Sequence, residues 1–272
     1  MKTLHETLQT SKAGAASLRK HLSAVGINEW EDMTRAALYD FRDHLAEAVA
    51  PSTARTLCAN LKAILNRYCD DVALPGGWPK ILSVKATKPL KTYLTETDLD
   101  KFASAPAHTA KMRLVQNLFL ISAYTGLRVS DAMALTLDNI DGDTLRYVAK
   151  KTKKAGVIPL KPGVAERIKW VAEHPGLTVT TKSYNEAVKR MCRLAGIDEE
   201  VVVLKAGKEL KGPKWMFVSS HQARISMATN LARRGVSITE VKNLLGHSAV
   251  SVTERYIVPS TTLSPMAMAY FS

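Results

Sequence analysis

Residues 244–256 read LLGHSAVSVTERY, a stretch in which a glycine, a histidine and a tyrosine follow short apolar runs. Gly246 is typical of a residue that ends a helix, so we expect His247 at a corner of the chain. Tyr256 lies nine residues after His247. The motifs Ser237-x-x-Glu240 and Ser251-x-x-Glu254 are typical of capping boxes, which predicts one helix before this corner and another after it.

Residues 220–224 read SHQAR and place an imidazole three positions before a guanidinium. Positions i and i+3 share one face of a helix, so His221 and Arg224 point in the same direction. The pair suits a phosphate, because the guanidinium donates to two oxygens while the imidazole donates to a third or takes a proton. The alternative is a helix that carries both side chains at its surface without a ligand.

Residues 125–131 read TGLRVSD and follow a long apolar helix through Leu118. Gly126 is expected to end that helix, and Ser130 is expected to cap the next one. Arg128 would then project from the turn toward a ligand. The alternative is an ordinary arginine paired with Asp131.

A lysine-rich segment, KKTKKAG at residues 150–156, lies between two runs of alternating apolar residues. This pattern predicts a β-hairpin with lysines at its tip. Lys151 could supply a proton to a leaving oxygen, although a solvated hairpin tip is the commoner outcome for such a sequence.

Composition narrows the function classes. The chain has 272 residues, 46% of them hydrophobic, and a formal net charge of +13, which favours a nucleic acid or another polyanion as partner. Its three cysteines lack C-x-x-C spacing, so they predict no disulfide framework or zinc site and fit a reducing cytoplasm. No apolar run approaches the roughly 18 residues that would span a bilayer, so a membrane is not expected as a partner.

We expect two domains, with residues 1–85 forming a helical domain, 86–92 a linker and 93–272 a second domain with a C-terminal tail. The linker is predicted from a run rich in proline, glycine and lysine at residues 74–91. Thr34 and Ser52 are expected at the starts of two amphipathic helices in the first domain. Arg55 and Lys62, on the second of these helices, are candidate DNA-binding residues. After about Ser183 the spacing predicts mostly helix.

The four chemical segments together resemble the tyrosine recombinase (phage integrase) family. The resemblance covers residues 93–260 strongly, and the helices of about residues 10–70 are similar to the family's core-binding domain. It implies a mainly α fold with a small β-sheet, in which a helical core-binding domain precedes an α+β catalytic domain. The catalytic set that it implies is Arg128, Lys151, His221, Arg224, His247 and Tyr256.

The resemblance also implies a role for each residue. Tyr256 would attack the scissile phosphate to form a 3′-phosphotyrosine, and the two arginines would bind the non-bridging oxygens. His221 would take the proton of the tyrosine, and His247 would bind the phosphate or orient the phenol. Lys151 would protonate the leaving oxygen, with Lys150 and Lys153 as alternatives.

No cofactor or metal is implied. The expected partners are a double-stranded DNA crossover site and further copies of the chain, as a tetramer on two DNA sites, in the cytoplasm at the nucleoid. Two alternatives stay open at this point. Residues 237–257 could form a helix-turn-helix in a non-enzymatic DNA-binding protein. A topoisomerase-like or telomere-resolving enzyme would use the same catalytic set.

Overall fold

A computed structural model describes residues 3–10, 15–85, 90–150 and 153–259 of the chain. The predictions made for Lys151, for residues 86–89 of the linker and for the tail from residue 260 therefore lie outside the described residues. The chain divides into two compact units, Met1–Pro89 with Leu204–Glu209, and Leu90–Val203 with Leu210–Ser272.

The part of the first unit that precedes residue 90 is helical. Its core lies along faces that recur at helical spacing, and Leu38, Phe41 and Leu45 are fully buried as their spacing predicts. Thr34 caps the third helix by accepting a hydrogen bond from the Ala37 amide. The α-helices of this unit are α1 (Leu4–Thr10), α2 (Ala15–Ser23), α3 (Arg35–Ala48), α4 (Pro51–Tyr68) and α5 (Trp78–Ile81).

The second unit is built around one apolar helix, Ala110–Thr125, most of whose residues are buried. A capping box at Thr95 and Asp98 starts the helix before it. The α-helices of this unit are α6 (Glu96–Ser104), α7 (Ala110–Thr125), α8 (Val129–Ala132), α9 (Val164–Ala172), α10 (Thr181–Leu194), α11 (Ser220–Arg233), α12 (Ile238–Leu245) and α13 (Val250–Glu254).

The predicted lysine-tipped hairpin is confirmed as part of a three-stranded antiparallel sheet. Its strands are β1 (Ile140–Asp141), β2 (Thr144–Val148) and β3 (Ala155–Pro159), in the order β1-β2-β3. Tyr147 stands opposite Gly156, where a Cβ atom would lie 2.6 Å from the tyrosine ring. The tyrosine ring therefore covers the space that the glycine leaves open.

Three local predictions were wrong. Strands β4 (Glu200–Lys205) and β5 (Lys208–Pro213) form a hairpin in a region expected to be helical. Arg128, rather than Ser130, occupies the N-cap of α8. Ala249 occupies the N-cap of α13, so Ser251 lies inside the helix and does not cap it.

The fold class, mainly α with a small β-sheet, is confirmed. Within the described ranges, no helix combines the length and the apolar character needed to cross a membrane.

Candidate active site

Arg224 is the buried centre of the site. It lies on α11 with only 4% of its surface exposed, and its guanidinium donates to the carbonyls of Gly126 and Leu245. These carbonyls stand at the C-terminal ends of α7 and α12, where helix dipoles place partial negative charge. The two helix ends therefore compensate the buried cation and fix its plane.

Gly126 makes this arrangement possible. Its φ of +69° lies in the left-handed region, and a Cβ atom there would meet Met227 Sδ at 2.6 Å and Leu245 Cδ2 at 2.7 Å. Only glycine combines this backbone with this close approach. The glycine ends α7, presents its carbonyl to Arg224 and turns the chain toward Arg128.

Arg128 lies at the start of α8 with about a third of its side chain exposed, and its guanidinium is 3.8 Å from Oδ2 of Asp131. Asp131 is buried, and its other oxygen accepts a hydrogen bond of 3.1 Å from the Lys150 amide. The carboxylate thus braces the arginine and also holds the base of the lysine-tipped hairpin.

Tyr256 lies just beyond α13, with its ring beside two imidazoles. The ring centroids are 4.9 Å apart for His221, which meets the phenol edge-on, and 4.6 Å apart for His247. The Arg224 guanidinium carbon lies 5.7 Å from the centre of the tyrosine ring. Four residues from two segments of the sequence, residues 220–224 and 244–256, therefore meet at one place.

His221 stands on the first turn of α11 and keeps part of its surface open to solvent. Desolvation of its ring lowers the pKa to about 4, and the positive charges of Lys91, Arg224 and Arg128 add to the shift. An imidazole with this pKa is neutral at pH 7, so it can accept a proton.

His247 follows the left-handed C-cap Gly246 and joins the site through both ring nitrogens. Nε2 lies 3.3 Å from an Arg224 nitrogen, and Nδ1 lies 3.0 Å from the Thr253 hydroxyl. Burial and then the charges of Arg224 and Arg128 lower its pKa to about 4. This imidazole is also neutral at pH 7.

A cleft of about 360 Å³ opens beside these residues. Its lining holds four cationic side chains and one carboxylate, that of Asp131, so the excess of positive charge suits an anionic phosphodiester. Its polar lining includes Arg128, Tyr147, Lys154, Arg224, Lys242 and His247. Among the described residues, no group of three or more His, Cys, Asp or Glu side chains could hold a metal ion.

The structure thus brings together five of the six predicted catalytic residues, and Lys151 lies outside the described part. Backbone hydrogen bonds of the hairpin fix the residues on either side of the gap, because the Ala149 amide donates to the Lys154 carbonyl and the Lys153 amide donates to the Ala149 carbonyl. The candidate DNA-binding residues lie on α4 in the first unit, where Arg55 is exposed and Lys62 Nζ donates to the Ser83 hydroxyl at 2.6 Å.

Sequence reasoning missed three residues that contact or line the site, namely Lys91, Tyr147 and Thr253. Tyr147 lies two residues after the buried Leu145 on β2, a spacing that places it on the same inner face but does not reveal the cleft. Thr253 lies three residues before Tyr256, one helical turn away. Lys91 gives no sequence signal, since its contact with Arg255 spans 164 residues.

The family model described as the phage integrase family matches residues 92–262 of the chain. The chain belongs to the phage integrase family. It is 26% identical over 251 residues to the tyrosine recombinase XerD of Yersinia pestis, which covers 83% of this chain and 78% of that protein. Its identity to XerD of Lacticaseibacillus casei is 24% over 228 residues, covering 79% and 75% of the two chains.

Solved structures have the same fold. The Tn1549 transposon integrase in complex with a circular intermediate DNA matches with a TM-score of 0.74 at 16% identity over the full length of both chains. A lambda integrase dimer bound to a COC′ core site matches with a TM-score of 0.69 at 15% identity, covering 96% of this chain and 98% of that one.

As a member of the phage integrase family, the chain is a site-specific DNA recombinase that cuts and rejoins strands through a tyrosine. The non-enzymatic helix-turn-helix alternative is therefore wrong. The corner at Gly246 does separate two helices, and it places His247 beside Arg224 in the candidate site.

Proposed function

We propose that Tyr256 is the nucleophile of this phage integrase and that it acts within its own protomer. The observation that carries the proposal is the position of its ring beside His221, His247 and Arg224 of the same domain. The phenolic oxygen attacks the scissile phosphorus, the bond to the 5′-oxygen breaks, and a 3′-phosphotyrosine forms.

Arg128 and Arg224 bind the non-bridging oxygens of that phosphate. Arg224 already uses three of its five N–H groups on Gly126, Leu245 and His247, and its Nε has no partner among the described residues. Fixed donors of this kind stabilise charge as it develops, and the loss of one typically costs about 2.7–4 kcal/mol of barrier.

The reaction needs one group that takes the proton of the nucleophile and another that gives a proton to the leaving oxygen. His221 takes the proton of Tyr256, which its neutrality at pH 7 permits. Lys151 gives a proton to the departing 5′-oxygen, and the base of its hairpin is anchored to the site by Asp131. His247 orients Arg224 and the phenol from the other side.

The second half of the reaction reverses the first. A 5′-hydroxyl of a partner strand attacks the phosphotyrosine and releases Tyr256. Because the energy of the broken phosphodiester is kept in the phosphotyrosine bond, no high-energy cofactor is needed. The substrate is a double-stranded crossover site, and we propose that four protomers assemble on two such sites, in the cytoplasm at the nucleoid.

A footprint on the DNA that flanks the protein's own gene first identifies the sequence that the protein protects. The proposal is then tested with a duplex that carries this sequence and a nick near the cleavage point. Wild type should form a covalent adduct that survives a denaturing gel. Tyr256→Phe should bind the duplex equally well and form no adduct, because only the phenolic oxygen is lost. An adduct that persists in the variant would assign the nucleophile to another residue.

A topoisomerase-like activity uses the same catalytic set and is separated by its substrate. We expect no relaxation of a supercoiled plasmid that lacks the protected sequence. Efficient relaxation of such a plasmid by wild type, but not by Tyr256→Phe, would mean that the protein acts as a topoisomerase.

A further inference from the structure

The backbone that carries Tyr256 is anchored to the rest of its domain on both sides of the tyrosine. On the C-terminal side, the Thr229 hydroxyl of α11 donates to the Tyr256 carbonyl at 3.2 Å and accepts from the Val258 amide at 3.1 Å. Thr229 is fully buried, so this anchor is part of the core.

The anchor on the N-terminal side comes from Lys91. Its ammonium donates a hydrogen bond of 2.8 Å to the carbonyl of Arg255, the residue directly before the tyrosine. The same nitrogen lies 5.7 Å from the centre of the Tyr256 ring. One side chain therefore contacts the backbone next to the nucleophile and faces its aromatic ring.

Lys91 is itself held in place by the segment that follows it. The Leu94 amide donates to the Ser226 hydroxyl at 2.8 Å, and the Leu94 carbonyl accepts from the Asn230 amide group at 3.1 Å. Both partners lie on α11, the helix that also carries His221 and Arg224. The lysine is thus tied to the helix that supplies the catalytic side chains.

We propose that Lys91 is a positioning residue for strand cleavage, because its ammonium holds the backbone on the N-terminal side of Tyr256. This inference rests on the proposed role of Tyr256 as the nucleophile. The tether keeps the phenol beside the imidazoles and arginines of its own domain. Lys91 is half-buried, and burial followed by the charge of Arg255 lowers its pKa.

The test compares Lys91→Met, which keeps most of the length of the side chain but removes the donor, with Lys91→Arg, which keeps a donor and a charge. On the nicked duplex described above, Lys91→Met should bind as wild type does and form the adduct about ten- to hundredfold more slowly, because small displacements of a reacting group are costly. Lys91→Arg should recover most of the rate. Lys111→Met, at an exposed lysine of α7, is the matched control and should cleave at the wild-type rate.

Hydrogen–deuterium exchange of the DNA-free protein provides a readout that does not need catalysis. In Lys91→Met, the amides of residues 256–258 should exchange faster, while those of α7 stay protected. If wild type forms no adduct, the proposed function is rejected. Faster exchange at residues 256–258 in Lys91→Met would still identify the tether in that case.

Three results would overturn the tether. The first is an unchanged exchange rate at residues 256–258 in Lys91→Met. The second is a loss of adduct formation in Lys91→Met that is fully explained by weaker binding of the duplex, which would make Lys91 a phosphate contact. The third is slow adduct formation by Lys91→Arg as well as by Lys91→Met, which would mean that the lost hydrogen bond is not the cause.

Discussion

His247 and Thr253 are joined by a hydrogen bond of 3.0 Å between the imidazole Nδ1 and the threonine hydroxyl. The other ring nitrogen faces Arg224, which can only donate, so Nε2 must accept and the proton must lie on Nδ1. The hydroxyl oxygen of the fully buried Thr253 accepts the hydrogen bond that Nδ1–H donates. Thr253 therefore selects the tautomer that lets His247 orient Arg224.

Thr253→Val should slow adduct formation by about three- to tenfold, the effect of one lost hydrogen bond of ordinary strength. Valine has nearly the shape of threonine, so the fold is kept while the acceptor is removed. The rate is measured with saturating nicked duplex. Thr253→Ser keeps the hydroxyl and should cleave close to the wild-type rate.

The ring nitrogens of His247 give a second measurement. In wild type, nitrogen NMR should show the proton on Nδ1, and in Thr253→Val the protonated fraction should shift toward Nε2. A wild-type imidazole protonated on Nε2 would contradict the assigned tautomer.

The depressed pKa values of His221 and His247 predict a dependence of stability on pH. Both values fall from 6.5 to about 4 in the folded protein, so between these limits the unfolded chain binds more protons than the folded one. Stability therefore rises with pH in this window. The contribution of these residues is fully present above about pH 6.5 and is lost as the pH falls to about 4.

Thermal melting of the DNA-free protein between pH 4 and 7 measures this dependence. The double variant His221→Gln, His247→Gln should show a shallower fall toward low pH than wild type. His21 in the first unit also has a lowered pKa, through burial and its neighbour His44, so part of the dependence should remain. The exposed His108→Gln is the control, and an equal slope in the double variant would reject the assignment.

Local signals in the sequence predicted the parts of the site that depend on the chain close to each residue. Gly126 and Gly246 end helices because their positive φ angles suit glycine, and the i, i+3 spacing of His221 and Arg224 places both on one turn of α11. These features need no knowledge of distant residues. They position four of the side chains proposed to be catalytic.

The parts that were missed depend on distant contacts or on unusual turn residues. The β4–β5 hairpin turns at Ala206 and Gly207, both with positive φ, and alanine is a rare residue in that conformation. The sequence of β4 is therefore not followed by a turn signal that would predict a hairpin. Lys91 and Arg255 are joined only by the folded arrangement, and no periodicity relates them.

Lys151 should serve the leaving group, so Lys151→Ala should cleave ordinary DNA slowly and recover on a duplex whose bridging 5′-oxygen is replaced by sulfur. A thiolate leaves without a proton, which removes the need for a general acid. The comparison is made as the ratio of cleavage rates on the two duplexes. Lys150→Ala and Lys153→Ala are the matched controls, and sulfur rescue of either one instead would move the general acid to that residue.

Arg55 and Lys62 lie seven residues apart on α4, two helical turns, so they share one face of the helix. Residues 1–90 hold 12 Lys and Arg against 9 Asp and Glu, a net charge of +3, which favours contact with the DNA backbone. Lys62 donates one N–H to Ser83 and has two more for a phosphate. We predict that both residues neutralise phosphates of the crossover site.

Each neutralised phosphate adds about 0.9 to the slope of log K against log salt, so Arg55→Ala with Lys62→Ala should lower that slope by up to about 2. The slope is measured by titrating the nicked duplex at several salt concentrations. Arg67→Ala is the matched control, because Arg67 is exposed on the same helix but is rotated by roughly 120° from Arg55. If Arg67→Ala lowers the slope by half as much as the double variant, so that each removed charge has the same effect, α4 attracts DNA through its overall charge and presents no specific face to it. An unchanged slope and affinity in the double variant would mean that Arg55 and Lys62 are solvated surface residues.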